Sequence, residues 1–205
     1  MNRKTILAGA GALAGGLAVW TAWGLYVDYT TERVPYDRVA HFDGIELRRY
    51  PATISVTTTA SSGDEAFRRL FRYISGTNTA GQKISMTTPV SMEGEKIPMT
   101  APVTASEVPE GVTMSFFLPA DYDYEDAPEP VDDLVSLELV GPRNLAVLSF
   151  SGYARDAKVQ KKETTLLSTL ADHGIETTDA PFYMGYDDPW TPPFLRKNEV
   201  AVAVE

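Results

Sequence analysis

Hydrophobic and polar residues alternate along much of the chain with the two-residue period of β-strands. Ile45–Arg49 and Thr53–Thr59 either alternate or are rich in β-branched residues, and Pro51 separates them. Val112–Leu118 has the same character. We therefore predict three strands in the first half of the chain.

A helix is predicted between the second and third of these strands. Ser62 and Glu65 have the spacing of a capping box, and Gly76 is placed to end the helix. The apolar positions follow the spacing i, i+3, i+4, i+7, which lines up one face of a helix. They are Phe67, Leu70, Phe71 and Ile74.

The pattern Met-Thr-x-Pro-Val occurs twice, at Met86–Val90 and Met99–Val103. Each copy joins β-branched strand formers to a proline, which belongs at a strand end, an edge or a bulge. Glu93–Glu95 contains a glycine and lies between the copies. We predict a hairpin that turns at Glu93–Glu95.

The second half of the chain repeats the order of elements in the first. Two predicted strands are followed by a helix that Gly174 ends, and two more strands close the chain. The strands are Leu134–Val140, Leu145–Phe150, Phe182–Tyr186 and Glu199–Val204, and the helix is Ala154–His173. The repeated order indicates an α+β fold with duplicated β-β-α-β-β halves, in which two helices cover one face of an antiparallel sheet.

An acidic segment, 121–133, joins the two halves, which span about 35–120 and 134–205. It holds seven acidic residues in thirteen, with Pro128 and Pro130. The acids lack the spacing of a calcium-binding loop. We interpret the segment as an exposed linker.

The N-terminus has the pattern of a membrane signal. Residues 1–4 are a short basic start, 5–27 carry no charge, and 28–34 form a polar tether. About 20 apolar residues span a bilayer as a helix. The positive-inside rule then places residues 1–4 in the cytoplasm and the domain 35–205 on the extracytoplasmic side. The alternative is a cleaved signal peptide and a secreted domain.

The composition of the chain excludes several classes of ligand and of catalytic site. The net charge is −10, which disfavours nucleic acid as a partner, and the chain has no cysteine for disulfides, iron–sulfur clusters or thiolate ligation. Histidine occurs only at His41 and His173, and no phosphate loop is present. Ser151 lacks the preceding glycine of a nucleophile elbow. We therefore expect a binding protein rather than an enzyme.

Several short strings occur together in an order that resembles the SOUL haem-binding protein family, over roughly residues 34–205. The two Met-Thr-x-Pro-Val copies after Gly76–Asn78 are the most specific of them. The others are Glu46–Tyr50, Phe116–Pro119, Phe150–Tyr153, Gly185–Trp190 and Arg196–Val200. The resemblance implies a curved or barrel-like antiparallel sheet that carries two helices.

The resemblance also implies tetrapyrrole contacts on the first helix of the domain. Aromatic side chains would cover the macrocycle and arginines would pair with the propionates. The candidate contact residues are Phe67, Arg68, Phe71, Arg72, Tyr186 and Trp190. His41 is the candidate axial ligand of a haem iron. His173, in the last turn of a helix, is better explained by the helix dipole.

The predicted function is that of a membrane-tethered haem or tetrapyrrole-binding protein, acting as a carrier, buffer or sensor. One alternative is an enzyme that degrades tetrapyrroles or turns over bound haem like a peroxidase. Another is a pocket for a different amphiphilic ligand, since a fold does not fix its ligand. A module that binds other proteins is the third.

Overall fold

The computed structural model describes residues 18–26, 29–94, 111–188 and 190–205. Within these ranges the helices are α1 (18–26), α2 (Gly63–Ile74) and α3 (Asp156–Asp172). The strands are β1 Glu32–Arg33, β2 Asp37–Phe42, β3 Ile45–Tyr50, β4 Thr53–Ala60, β5 Thr87–Gly94, β6 Val112–Phe117, β7 Ser136–Val140, β8 Arg143–Ser151, β9 Phe182–Gly185 and β10 Lys197–Val204.

All ten strands belong to one sheet, in the order β2-β3-β8-β10-β9-β5-β6-β4-β7, with β1 paired to β5. Neighbouring strands are antiparallel except for β1 and β5, which run parallel. The predicted α+β fold with an antiparallel sheet is confirmed. The sheet is not closed in the part of the chain that the structure describes, so the barrel-like form of the prediction is wrong.

The strand order is symmetrical about the contact between β5 and β9. β3-β4-α2-β5-β6 in the first half corresponds to β7-β8-α3-β9-β10 in the second. Within each half the long strands pair alike, β4 with β6 and β8 with β10, while β3 and β7 each cross to the other half. The repeated order of elements in the sequence is thus a repeated arrangement in space.

Three hydrophobic cores fill the part of the fold that the structure describes. The α2 core packs α2 on β4 and β6, with Leu70, Val56 and Phe116 at its centre. The α3 core packs α3 on β8 and β10. The opposite face of the sheet carries a central core, which both halves share through Phe117 and Val147. Successive side chains of β10 point to opposite faces of the sheet, so Val200 faces α3 and its neighbour Ala201 faces the central core.

The predicted ends of the helices are confirmed to within two residues. The Ser62 hydroxyl accepts a hydrogen bond from the Glu65 amide at 3.3 Å at the start of α2. Gly76 and Gly174 lie just beyond α2 and α3 with φ of 108° and 68°, values that favour glycine. Local sequence therefore sets these boundaries.

The predicted hairpin turn is wrong at Glu93 and Gly94, and Glu95 lies outside the described residues. Glu93 and Gly94 still belong to β5 and pair with Thr113 and Val112 of β6. Within the described ranges, β5 extends to Gly94 and its partner is β6. The second Met-Thr-x-Pro-Val copy, Met99–Val103, lies outside the described residues.

The acidic linker is more closely packed than a solvated loop. Ala127 is buried, and the Pro128 carbonyl accepts a 2.7 Å hydrogen bond from the buried Tyr73 of α2. The acids themselves stay exposed, apart from the half-buried Asp132. The linker therefore supports the end of α2 with its backbone and turns its charges outward.

The N-terminal segment is described only in part. Within the described residues, no helix has the length and apolar character needed to cross a membrane. Residues 5–17 and 27 of the predicted anchor lie outside these ranges. The described helix α1 contacts the domain, since Trp20 donates a 2.6 Å hydrogen bond to the carbonyl of Trp190. A Cβ on the buried Gly24 would lie 2.9 Å from Cδ of Pro192, so only glycine allows this close approach.

Candidate functional site

Two aromatic rings project from α2 into solvent. Phe67 is 38% exposed and Phe71 is 49% exposed. Their rings are stacked, with centroids 5.8 Å apart and planes inclined by 15°. Phe67 also meets the edge of the buried Phe116 at 5.4 Å. We call this pair of rings the α2 aromatic surface.

The predicted apolar stripe of α2 is only half buried. Leu70 and Ile74 enter the α2 core as expected, but Ala66 and Tyr73 complete the buried face. With about 100° between successive residues, Phe67 and Phe71 therefore fall on one flank of the helix. The burial of Tyr73 is what turns the two phenylalanines outward.

A methionine of β5 lies beside the same flank. Gly63 is one turn before Phe67, and a Cβ on Gly63 would lie 3.9 Å from Sδ of Met92. Met92 is only partly buried against the α2 core. A thioether therefore lies beside the first turn of α2, one turn before Phe67.

The two candidate arginines of α2 have different surroundings. Arg72 donates a 3.0 Å hydrogen bond to the carboxylate of Asp132. It borders a cavity of about 220 Å³ on the flank away from the phenylalanines. Arg68 is exposed, about 60° around the helix from Phe71, and forms no ion pair within the described ranges. Arg68 is thus the cation nearest to the α2 aromatic surface on the helix.

Tyr186 and Trp190 lie in other parts of the fold. Tyr186 packs against the central core and donates a 2.5 Å hydrogen bond to Glu199. Trp190 is 77% exposed, and its carbonyl accepts the hydrogen bond from Trp20 of α1. The structure thus brings Phe67 and Phe71 together, while Tyr186 and Trp190 have partners of their own.

The histidines belong to the half of the sheet that α3 covers. His41 is exposed on the edge strand β2, opposite Glu46 of β3. Five strands separate β2 from β6 in the sheet order. His173 lies at the end of α3, with Nε2 2.8 Å from the carboxylate of Asp43 and its ring 4.4 Å from that of Phe42. The role predicted for His41 stays a prediction.

A buried charge network connects β3, β8 and β10. Arg48 is 2% exposed and donates two hydrogen bonds, of 2.8 and 2.9 Å, to the fully buried carboxylate of Glu199. Ser149 and Tyr186 donate to the same carboxylate, and Lys197 lies 3.3 Å from it. Almost every lone pair of this carboxylate is therefore occupied.

The electrostatics of the network favour an ionised Glu199. Burial alone would raise the pKa of Glu199, but the Arg48 hydrogen bonds, the charges of Lys197 and Arg48 and the Tyr186 hydrogen bond outweigh burial and lower it to about 2. Burial, together with the charge of Glu199, raises the pKa of Tyr186 far above its ordinary value. The tyrosine thus remains a hydrogen-bond donor at every physiological pH.

A family model described as SOUL heme-binding protein matches residues 31–203. The chain belongs to the SOUL haem-binding protein family. Relatives include heme-binding protein 2 of Homo sapiens, which is 30% identical over 175 residues, with 82% of each chain covered. Heme-binding protein 1 of Bos taurus is 29% identical over 153 residues, which cover 73% of this chain and 75% of the relative. The resemblance based on short strings is confirmed.

Solved structures similar to this SOUL chain have far lower sequence identity. The C-terminal domain of EcmrR has a TM-score of 0.57 at 13% identity, covering 83% of this chain and 98% of that one. A hydrolase encoded by lin2189 from Listeria innocua has a TM-score of 0.53 at 11% identity, covering 82% and 94%. At these identities the likeness shows a shared fold alone.

The pairing of Arg48 with Glu199 in this SOUL chain was not predicted from the sequence. The signal was present, because Glu199 stands among the apolar residues of a strand in which a charge needs a buried partner. The partner lies 151 residues away along the chain. Only the sheet order, which places β3 next to β8 and β8 next to β10, identifies it.

Proposed function

We propose that this protein binds haem or a related tetrapyrrole on the α2 aromatic surface. The observation that carries the proposal is the exposure of two stacked phenylalanine rings on a helix whose other large apolar residues are buried. Membership of the SOUL family and the names of the heme-binding relatives support the same ligand. The proposed role is that of a carrier, buffer or sensor.

The residues of α2 fit the porphyrin body and a propionate. A flat macrocycle would cover the exposed parts of Phe67 and Phe71 and exclude water from them. Met92 would add a soft, polarisable contact at one edge. Arg68 would pair with a propionate, whose carboxylate matches the guanidinium fork. No axial ligand is needed for binding of this kind, which rests on apolar burial and one ion pair.

Haemin titration of the purified full-length chain, followed by absorbance, tests the proposal. We expect a saturable Soret shift at one haemin per chain. Replacing Arg68 by glutamine should weaken binding about fivefold, because an exposed ion pair is lost. Arg72→Gln is the matched control and should leave the affinity unchanged, since Arg72 already pairs with Asp132.

The same titration decides the role of His41. Because His41 lies on β2 and α2 packs on β4 and β6, we expect His41→Ala to bind haemin like the unmodified chain. Loss of the Soret shift in this variant would place the haem at β2 instead. A shift that does not saturate, for any variant, would contradict haem binding by this chain.

Binding without turnover is the second part of the proposal. It is supported by the positions of the two histidines, which lie by β2 and α3 and away from the packing of α2 on β4 and β6. Added peroxide or reductant should bleach bound haemin no faster than free haemin. Faster loss of the Soret band with one defined product would favour the tetrapyrrole-degrading alternative.

We further propose that residues 5–27 attach the domain to a membrane, with the domain on the extracytoplasmic side. The uncharged run after a basic start supports this. So does the exposure of Trp20, Trp23 and Tyr26 on α1, because such aromatics favour membrane interfaces. The full chain should sediment with membranes after a high-salt wash, and a chain without residues 1–27 should not. Equal behaviour of the two chains would contradict attachment by this segment.

A further inference from the structure

A cavity of about 930 Å³ lies at one end of the sheet, away from the residues proposed to bind the tetrapyrrole. Its walls come from the ends of β3, β8 and β10 and from the loop that precedes β9. Its lining includes the cations Arg49 and Arg143 and the small or apolar residues Ala180, Phe182 and Ala203. Its volume is near the upper end of the range for small-molecule sites, roughly 300–1,000 Å³.

Arg143 is the unusual member of this wall. It is half-buried, and its guanidinium carbon lies 5.9 Å from the ring centroid of Phe117 and 5.7 Å from that of Phe182. No carboxylate forms an ion pair with it in the part of the chain that the structure describes. The more deeply buried Arg48, by contrast, is neutralised by Glu199 and Glu46.

This environment leaves a charge only partly compensated. Contacts with two aromatic faces stabilise a guanidinium but do not replace a counter-ion. Burial lowers the pKa of Arg143, although the charges of Glu93 and Asp179 act in the opposite direction. A bound anion would supply the direct ion pair that Arg143 lacks in the described part of the chain.

We propose that this cavity binds a monoanionic amphiphile, with its carboxylate or sulfonate on Arg143 and its apolar body against Phe182 and Ala203. The cavity is also lined by three exposed acids, Glu93, Asp179 and Glu205. Their charges repel ligands with several negative charges, so a single anionic group fits beside Arg143.

The site is separate from the α2 aromatic surface and does not depend on the proposed haem binding. Its walls belong to the strands that carry the central and α3 cores, whereas Phe67 and Phe71 belong to α2. Haemin and a monoanionic amphiphile should therefore bind the same chain at the same time.

Fluorescence titration of the full-length chain with 8-anilino-1-naphthalenesulfonate tests the proposal. N-phenyl-1-naphthylamine has the same aromatic body without the sulfonate and is the matched neutral probe. Arg143→Gln should weaken sulfonate binding at least about tenfold, because a charge-assisted pair is lost. It should leave the neutral probe unaffected. Ala180→Trp changes an exposed loop residue and should block both probes.

Arg38→Gln, which removes an exposed arginine outside the cavity, is the control variant and should bind both probes like the unmodified chain. Haemin should not displace the sulfonate. Unchanged sulfonate affinity in Ala180→Trp would overturn the proposal even if Arg143→Gln failed to fold. Displacement by haemin, or loss of sulfonate binding in Phe71→Ser, would also overturn it, because the probe would then occupy the α2 aromatic surface.

Discussion

Replacing Phe67 and Phe71 together by serine should weaken haemin binding about 30-fold. Fully burying a phenylalanine contributes about 1.5–3 kcal/mol, and each of these rings is less than half exposed in the free protein. Covering the exposed parts is thus worth about 1 kcal/mol per ring, or about 2 kcal/mol for both, which is about 30-fold in the dissociation constant. The dissociation constant is measured by titrating the variant with haemin and monitoring the Soret band.

The fold should tolerate this double substitution. Serine and phenylalanine have similar helix propensities, and neither ring belongs to the buried face of α2. The edge contact between Phe67 and Phe116 is lost, at a cost of about 1 kcal/mol in the free energy of unfolding. Thermal unfolding followed by circular dichroism checks that the variant remains folded.

Phe194→Ser is the matched control, because Phe194 is 58% exposed and lies outside α2. Haemin adheres to exposed apolar surface in general, and this variant measures that effect. It should bind haemin with the affinity of the unmodified chain. If the double variant kept its affinity within about threefold, or if Phe194→Ser lost as much, the haem would not lie on the α2 aromatic surface.

Local chemistry allowed most elements of this fold to be predicted, although β1 and β2 were missed. Ser62 begins α2 and Gly174 follows α3, because a side-chain cap and a residue tolerant of positive φ act within a few positions of themselves. The two-residue alternation of apolar and polar residues predicted most of the strands. The repeated order of elements predicted the two halves. These features need no knowledge of distant contacts.

Features that depend on distant contacts could not be predicted in this way. Helical periodicity placed Phe67, Leu70, Phe71 and Ile74 on one face, but the sheet beneath α2 decides which part of that face is buried. Tyr73 is buried because its hydroxyl reaches the carbonyl of Pro128, which is 55 residues away. The exposed candidate surface is a consequence of that contact.

Strand register explains the incorrect hairpin turn in the same way. A glycine between two acids is a good turn by local criteria, yet Gly94 pairs with Val112. β5 is held on its other side by β9, where Val90 pairs with Gly185 and Met92 with Tyr183. Pairing on both sides favours an extended strand beyond the point at which local sequence would turn.

Changing Glu199 to glutamine should lower the free energy of unfolding by about 3 kcal/mol. The variant leaves Arg48, which is 2% exposed, without its principal counter-charge. Breaking a buried pair from one side costs about 3–5 kcal/mol, because the remaining charge is uncompensated. For a chain of this size the melting temperature should fall by about 10 °C. Denaturant unfolding and thermal unfolding measure the two quantities.

Asp132→Asn is the control, since Asp132 forms an exposed pair with Arg72, whose side chain is 61% exposed. Surface pairs contribute about 0–1 kcal/mol, so this variant should unfold almost like the unmodified chain. A loss below about 1 kcal/mol in Glu199→Gln would show that burial of the network contributes little to stability.

The contribution of Glu199 should also depend on pH with a definite sign. Its pKa is about 2 in the folded protein against 4.5 in the unfolded chain, so the unfolded chain binds the proton more readily. The stabilisation is therefore complete above about pH 4.5 and is lost as the pH falls towards 2. Over the same range the stability difference between the unmodified chain and Glu199→Gln should narrow by about 3 kcal/mol. A difference that stayed constant with pH would mean that Glu199 does not titrate in this way, because the other carboxylates affect both chains equally.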